Sequence, residues 1–130
     1  MKIELVECKP EYWELVRLLR SDPENQEGFF SVVKINQKQQ QIYMELNSHR
    51  YKICLLDGIP VGYVGVIKDS EVTYCVQHEY KGMGIGTKII EEFSKSFDSL
   101  DAYVKVENFP SQRIFEKLGW EKQIYYKFKK

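Results

Sequence analysis

Three glycines at alternate positions open a helical pattern directly after an apolar run. The glycines lie within Tyr80 to Thr87, and the apolar run is Val72 to Val76. Glycine lets a backbone turn sharply and approach a ligand closely, while the unpaired N–H groups and the dipole at the start of a helix favour a phosphate. The segment therefore predicts a site for the pyrophosphate of a nucleotide-type cofactor, with an ordinary glycine turn as the alternative.

Two other phosphate-binding motifs do not fit this spacing. The dinucleotide fingerprint requires G-x-G-x-x-G and an acidic residue about 20 positions later that ends the next strand. Here the spacing is G-x-G-x-G, and Asp101 opens the next apolar run. The Walker A motif also fails, because the sequence contains neither Gly-Lys-Ser nor Gly-Lys-Thr. The cofactor must therefore be bound in a different way.

The glycine segment resembles the acyl-CoA loop of the GNAT N-acetyltransferases. The family signature is Gln or Arg, two residues, Gly, any residue, then Gly or Ala, and Lys81, Gly84 and Gly86 occupy those places. Downstream, Asn108 to Trp120 resembles the second family motif, which runs Asn, a small residue, an aromatic residue and Lys-Leu-Gly-aromatic. With two motifs in the right order and at the right separation, the resemblance extends from about Lys2 to the C-terminus.

The resemblance implies that the protein transfers an acetyl group from acetyl-CoA to a primary amine by direct attack. It places the end of the fourth strand beside the pantetheine arm, with the Val76 amide facing the thioester carbonyl. One N–H aimed at an oxyanion contributes about 3 kcal/mol in comparable sites, so Val76 is the predicted catalytic donor. The cofactor-binding residues that the resemblance implies are Cys75, Val76, Lys81, Gly82, Met83, Gly84, Ile85, Gly86, Thr87 and Asn108.

The catalytic acid and base are less well defined. The family's usual proton-donating tyrosine corresponds to Phe115, which has no hydroxyl. A thiol of pKa about 8.5 still leaves as a thiolate at pH 7 with only about 2 kcal/mol of mismatch, so water can serve. By resemblance, Glu71 is the predicted base, directly or through a water chain, with a solvated strand end as the alternative. The hydroxyls that remain open as replacements are those of Ser111, Tyr103, Tyr125 and Tyr126.

The first third of the chain is similar to GNAT enzymes that acetylate amino groups on nucleotide-linked deoxysugars. The similarity rests on residues 13–23, on the Phe-Phe pair at 29–30 and on the glutamines at 39–41. It implies a small-molecule acceptor that carries a sugar and a phosphate.

Two arginines and two glutamines in this region are candidates for acceptor binding. Arg17 or Arg20 could meet a phosphate, and Gln40 or Gln41 could contact sugar hydroxyls, although solvent-facing helix positions explain all four as well. We predict Arg20 and Gln40 as the substrate contacts. The rival acceptors are a protein N-terminus, a lysine or another small amine. The rival without catalysis is an acetyl-CoA binding module, which the phenylalanine at position 115 keeps open.

Composition limits the class of protein. The 130 residues form one predicted domain, residues 1–130, long enough for a single core. Nineteen basic and nineteen acidic side chains balance, which argues against nucleic acid as a partner. No apolar run is long enough for a bilayer and no signal-like segment begins the chain, so we expect a cytoplasmic protein without a membrane partner. The three cysteines lack metal-ligand spacing, so we expect reduced thiols and no metal.

Hydrophobic periodicity predicts the elements that must position these residues. Helices are predicted from Pro10 to Ser21, from Asn36 to Ser48, from Ile85 onward and from Pro110 to Leu118. In the second of these helices, Ile42, Tyr43 and Leu46 are expected to face inward and the glutamines outward. Strands are predicted at Lys2–Cys8, Tyr51–Leu56, Val61–Ile67, Glu71–Val76, Ala102–Val106 and Gln123–Phe128, with a hairpin turn at Asp57-Gly58.

This order predicts an α/β domain with a single mixed, mostly antiparallel sheet flanked by helices, the GNAT acyl-CoA N-acyltransferase fold. In the family, strands 4 and 5 splay at their ends, so backbone groups of strand 4 that lack a ladder partner take up the pantetheine arm. Only ten residues follow Trp120, enough for one further strand where many relatives have two. The acceptor side is therefore expected to be open or completed by a second subunit, and we predict a homodimer.

Overall fold

The computed structural model describes residues 1–22, 25 and 35–130. Four strands form one antiparallel sheet in the order β1-β2-β3-β4. The strands are β1 Ile3–Glu7, β2 Tyr51–Leu56, β3 Ile59–Ile67 and β4 Glu71–Val76. The predicted irregular stretch at 24–34, including Phe29 and Phe30, lies outside the described residues apart from Asn25.

The hairpin between β2 and β3 is tighter than the predicted strand boundaries imply. Asp57 and Gly58 have φ values of 50° and 85° and form the turn by themselves, so Leu56 already pairs with Ile59. Positive φ at both central residues is the geometry that Asp-Gly favours in two-residue hairpins. As a result, β3 begins two residues before the predicted Val61, next to a register irregularity in β2.

Two pairs of helices cover the two faces of the sheet. A short 3-10 turn precedes α1, Trp13–Ser21, which packs with α2, Gln37–Asn47. We call their side the α1–α2 face; its core contains Val16, Met44 and Tyr63. The opposite side, which we call the α3–α4 face, carries α3, Ile85–Ser94, and α4, Phe109–Lys117. The core of the α3–α4 face contains Val64, Val72, Val76, Ile85, Ile89, Phe93 and Phe115.

The orientation predicted for α2 holds for Tyr43, which packs against the core of the α1–α2 face, and is wrong for Ile42 and Leu46. Ile42 and Leu46 are 54% and 71% exposed, whereas Gln40 and Met44 are 2% and 0% exposed. Gln40 and Met44 lie four residues apart and therefore on one side of the helix, the side that meets α1. The Gln40 Nε2 donates a hydrogen bond to Trp13 O at 2.9 Å, which satisfies part of a polar side chain that periodicity assigns to the surface.

The predicted strands at Ala102–Val106 and Gln123–Phe128 do not form within the described chain. Asp101 makes one isolated parallel bridge with Glu71, in which Val72 N donates to Asp101 O at 2.8 Å. After this bridge the chain leaves β4 and forms no further ladder with it. The separation expected between strands 4 and 5 therefore begins at the first residue of β4. Across the ranges that the structure covers, none of the helices combines the length and apolar character needed to cross a membrane.

Candidate active site

A cleft of about 960 Å³ opens where the chain after Asp101 separates from β4. It is bounded by β4, the start of α3, the segment 102–107 and the first two turns of α4. Of the predicted site residues, those that line it are Arg20, Glu71, Cys75, Val76, Lys81, Gly82, Gly84, Ile85, Gly86, Thr87 and Asn108. Met83, 48% exposed, and Gln40 do not line it.

The backbone of β4 presents N–H groups to the cleft. Val72 N donates to Asp101 O, away from β3, whereas Gln77 N donates to Val61 O in β3. Because N–H directions alternate along a strand, the N–H groups of Tyr74 and Val76 point the same way as that of Val72. Beyond the bridge at Asp101 no described strand lies on that side to accept them. Val76 thus has the orientation that the predicted oxyanion contact needs.

Residues 81–87, which we call the glycine loop, turn the chain from β4 into α3. Gly84 is the N-cap residue of α3 with φ 80°, a left-handed conformation that other residues adopt only at an energetic cost. The first helical hydrogen bond runs from Lys88 N to Gly84 O, so the N–H groups of the first turn have no acceptor within the helix. Lys81 Nζ donates to Asn25 Oδ1 at 2.7 Å beside this turn. Open amides, a helix N-terminus and a nearby ammonium suit a pyrophosphate.

Asn108 begins α4 at the edge of the cleft. Its Oδ1 accepts a hydrogen bond from Ser111 N at 3.3 Å, which is an ordinary N-cap arrangement. The cap uses the side-chain oxygen, and the Nδ2 has no hydrogen-bond acceptor within residues 1–22, 25 and 35–130. The structural role of Asn108 is thus compatible with its predicted contact to the cofactor.

The end of α4 explains the Lys-Leu-Gly-Trp sequence. Gly119 has φ 80°, its N–H donates to Glu116 O, and Trp120 N donates to Phe115 O. This pair of bonds is a Schellman motif, and its usual apolar contact is made by the Phe115 and Trp120 rings, whose centroids lie 4.8 Å apart. Phe115 is 9% exposed and lines the cleft with a ring that cannot donate a proton.

A hydroxyl pair that sequence reasoning did not assemble lies next to Phe115. Tyr74 Oη and Ser111 Oγ are 2.8 Å apart, and both residues line the cleft. Burial raises the pKa of Tyr74, and the hydrogen bond to Ser111 opposes part of that shift. Ser111 was one of the open replacements, but Tyr74 was missed. Tyr74 lies two residues before Val76 on β4, and side chains alternate along a strand. This spacing was the signal that puts the two side chains on the same face of the sheet.

The three tyrosines predicted as replacements for the missing hydroxyl are all largely exposed to solvent. Tyr103 lines the cleft but is 59% exposed, and Tyr125 and Tyr126 are 76% and 83% exposed outside it. Exposed hydroxyls are surrounded by water and are poorly fixed relative to a reacting atom.

Glu71 lies at the wrong end of β4 for direct proton abstraction. Val76 lies five positions further along the strand, which corresponds to about 16 Å at about 3.3 Å per residue. A general base must lie within about 3.2 Å of the group it deprotonates, or act through water. Of the two forms of the Glu71 prediction, only the water chain is compatible with a carbonyl held by Val76. The two histidines, His49 and His78, are exposed and do not line the cleft.

The two arginines of α1 have different surroundings. Arg17 Nε donates to both carboxylate oxygens of Glu14 at 3.0 Å, and its Nη1 donates to Ile35 O at 3.2 Å. Arg20, one turn later, lines the cleft and forms no ion pair with any residue that the structure describes. Of the two, Arg20 is the one that lines the cleft.

Gln40 is not a substrate contact. Its side chain is buried between α1 and α2, its Nε2 is bonded to Trp13 O, and it does not line the cleft. The prediction failed because a run of glutamines at 39–41 does not reveal which one faces the neighbouring helix.

The three cysteines are buried free thiols, as expected. Burial raises the pKa of Cys75 to about 12 and those of Cys8 and Cys54 to about 11. The Cys75 thiol at the cleft is therefore protonated at neutral pH and is a poor nucleophile.

Solved structures share this architecture. The chain is similar to a GNAT-family acetyltransferase from Bacillus anthracis, with 18% identity, a TM-score of 0.77 and coverage of 97% of this chain and 84% of that chain. It is similar to the aminoglycoside acetyltransferase AAC(6')-Ib in complex with coenzyme A, with 17% identity, a TM-score of 0.72 and coverage of 94% and 86%. Ard1 from Thermoplasma volcanium matches with 16% identity, a TM-score of 0.66 and coverage of 92% and 82%. At these low identities the structural similarity shows the fold alone.

The family itself follows from the sequence match. The family model described as acetyltransferase (GNAT) family matches residues 7–120, which include the glycine loop and the second motif. The match confirms the predicted α/β fold and the predicted class of enzyme, an N-acetyltransferase that uses acetyl-CoA. The chain belongs to the acetyltransferase (GNAT) family.

Proposed function

We propose that this N-acetyltransferase acts on a primary amine of a nucleotide-linked deoxysugar. Transfer at this site is supported by one observation: Val76 and the open amides of the glycine loop line the same cleft. In the proposed complex the loop binds the pyrophosphate, β4 aligns the pantetheine arm, and Val76 N–H donates to the thioester carbonyl oxygen.

The nucleophile is the neutral amine of the acceptor. Its nitrogen attacks the carbonyl carbon, the C–N bond forms, and the C–S bond breaks with its electron pair on sulfur. The amine proton leaves through water toward Glu71 or bulk solvent, because position 71 lies about 16 Å along the strand from Val76 at about 3.3 Å per residue.

Arg20 supports an acceptor that carries a phosphate. Its guanidinium lines the cleft, and guanidinium groups bind phosphates through paired N–H donors. Arg17, one turn earlier on α1, is bonded to Glu14 and serves as a matched control.

Arginine substitutions test the acceptor class. We expect Arg20→Ala to raise KM for a nucleotide-linked amino sugar about 10-fold or more, since a hydrogen bond to a charged group contributes about 1.5–3 kcal/mol. Arg17→Ala should leave this KM within about twofold. Thiol release from acetyl-CoA is measured for both variants with nucleotide-linked amino sugars, free amino sugars and peptides. Equal KM changes in the two variants, or a preference for acceptors without a phosphate, would contradict the proposed acceptor.

Two alternatives are separated by the same assays. Turnover with a peptide N-terminus, a lysine or another small amine, but not with sugar nucleotides, would assign the enzyme to that acceptor class. Tight CoA binding without turnover on any amine would indicate a binding module, an alternative that Phe115 favours because it removes the usual hydroxyl.

We also propose a homodimer. The segment after α4 leaves four large apolar side chains between 74% and 93% exposed, and within the described chain they pack against no partner element. A single monomer mass in light scattering at working concentration would rule this out. The four side chains are those of Ile124, Tyr125, Tyr126 and Phe128.

A further inference from the structure

We propose that the hydroxyl pair of Tyr74 and Ser111 donates the hydrogen bond that stabilises the departing CoA thiolate, in place of the hydroxyl that Phe115 lacks. The inference deepens the acetyl transfer proposed above and assigns a catalytic role to a residue of β4.

The pair lies at the site of the missing hydroxyl. Tyr74 Oη and Ser111 Oγ are 2.8 Å apart, and the Tyr74 and Phe115 rings meet edge to face with centroids 6.4 Å apart. Ser111 lies one helical turn before Phe115, and helical side chains lean toward the N-terminus, so both reach the same part of the cleft wall.

Tyr74 is held rigidly in this position. Its ring packs against the core of the α3–α4 face and meets the Phe115 ring edge to face. Ser111 is 6% exposed and is anchored by the N-cap bond from its own N–H to Asn108. A donor fixed by packing and a second hydrogen bond is preorganised for a developing charge.

The position along β4 fits the geometry of a thioester. Tyr74 and Val76 are two residues apart, about 6.6 Å along the strand at about 3.3 Å per residue, and both N–H groups point into the cleft. A thioester whose carbonyl is bound at Val76 N–H and whose sulfur extends toward Tyr74 therefore meets the wall that carries the pair.

The chemistry requires a hydrogen bond and not a net proton transfer. Burial keeps the pKa of Tyr74 above the ordinary value for a tyrosine, whereas a thiol has a pKa of about 8.5, so Tyr74 remains protonated beside a thiolate. As the C–S bond breaks, one hydroxyl of the pair donates to sulfur and the other donates to the first. The proton that finally neutralises the thiolate comes from the amine or from water, and the pair is unchanged.

The test is the pKa of the CoA thiol bound to the protein, followed through the ultraviolet absorbance of the thiolate. This readout uses CoA alone and needs no acceptor, so it is independent of the proposed sugar nucleotide. A donor to sulfur lowers the bound thiol pKa, and we expect Tyr74→Phe to raise it by about one unit, which is a tenfold change in acidity. Ser111→Ala should raise it in the same direction.

Restoring the missing hydroxyl completes the design. Phe115→Tyr in the Tyr74→Phe background should return the thiol pKa to within a few tenths of a unit of the original, and should recover a kcat that Tyr74→Phe lowers about 10- to 100-fold. Calorimetric CoA binding verifies that each variant is folded. Tyr103→Phe removes another tyrosine hydroxyl that lines the cleft and should leave the thiol pKa unchanged.

Three results would overturn the proposal. They are an unchanged thiol pKa in Tyr74→Phe with intact CoA binding, a larger shift in Tyr103→Phe than in Tyr74→Phe, and a failure of Phe115→Tyr to restore either quantity. Loss of turnover on sugar nucleotides with a normal pKa shift would instead affect only the acceptor assignment.

Discussion

The two faces of the sheet are built by different means. On the α3–α4 face, the features that shape the cleft are backbone features: a left-handed glycine at the start of α3, an asparagine cap on α4 and a glycine that ends α4. On the α1–α2 face, side-chain packing decides which residues are buried, and a glutamine occupies the core beside Met44. The first face carries the glycine loop, the proposed cofactor site, whereas the second contributes Arg20, which lines the same cleft.

This difference determines which features of each face can be predicted from a short stretch of sequence. A backbone conformation such as φ 80° restricts the residue type at one position, so it leaves a mark in the sequence. Burial of one helix side depends on a partner helix that is distant in sequence, so it leaves only an ambiguous periodicity. The comparison predicts that substitutions on the α3–α4 side change cofactor binding and that those on the α1–α2 face change stability.

The largest effect is expected at Gly84. Gly84→Leu forces a side chain into a left-handed conformation at the cleft and covers the amides of the glycine loop, so calorimetry should show CoA affinity at least 100-fold weaker, about 2.7 kcal/mol or more. Gly58→Leu is the matched control, since Gly58 has φ 85°, also has open space at its Cβ, and lies in the hairpin turn. Both variants should lose similar thermal stability, and only the first should lose CoA. Retained affinity in Gly84→Leu would contradict the assigned site.

The second effect tests Gln40 as a core residue. Gln40→Ala removes a buried side chain and its bond to Trp13 O, and should lower the free energy of unfolding by about 2 kcal/mol in urea titrations. KM values for CoA and acceptor should remain unchanged, because the side chain does not line the cleft. Gln41→Ala, on the exposed side of the same helix, is the control and should change stability by less than about 0.5 kcal/mol. A raised acceptor KM in Gln40→Ala would restore the original prediction.

The smallest expected effect is the difference between two buried thiols, one on each face, whose folded pKa values differ by about one unit or about 1.4 kcal/mol. Burial raises the pKa of Cys54, on the α3–α4 face, to about 11 and that of Cys75, on the α1–α2 face, to about 12. In the unfolded chain each thiol has a pKa of about 8.5. Its contribution to the free energy of unfolding is therefore fully present below that pH and is lost as the pH rises toward the folded pKa, by about 1.4 kcal/mol per pH unit.

Urea unfolding of the original protein, Cys54→Ala and Cys75→Ala between pH 8 and pH 11 measures this difference. Each alanine variant should show a shallower loss of stability with rising pH than the original protein. Identical slopes for all three proteins would show that neither thiol is protected by burial.

The sequence predicted the bounds of two strands of the sheet well and the outer elements less well. The observed bounds of β2 and β4 are the predicted ones, because an apolar run marks each strand and the Asp-Gly turn ends β2. The strand predicted at Ala102–Val106 failed because alternation shows strand propensity but not a ladder partner. The hydroxyl pair next to Phe115 could not be predicted either, since Tyr74 and Ser111 are 37 residues apart and meet only across β4 and α4.

The sequence by itself determined the family, the cofactor class and the glycine loop, because each depends on residue types that a local backbone conformation or helix end requires. The tertiary structure decided which side of α2 is buried, which arginine of α1 reaches the cleft, and which hydroxyls adjoin Phe115. These choices depend on the packing of helices against the sheet, and that packing joins residues whose separation along the chain carries no local signal.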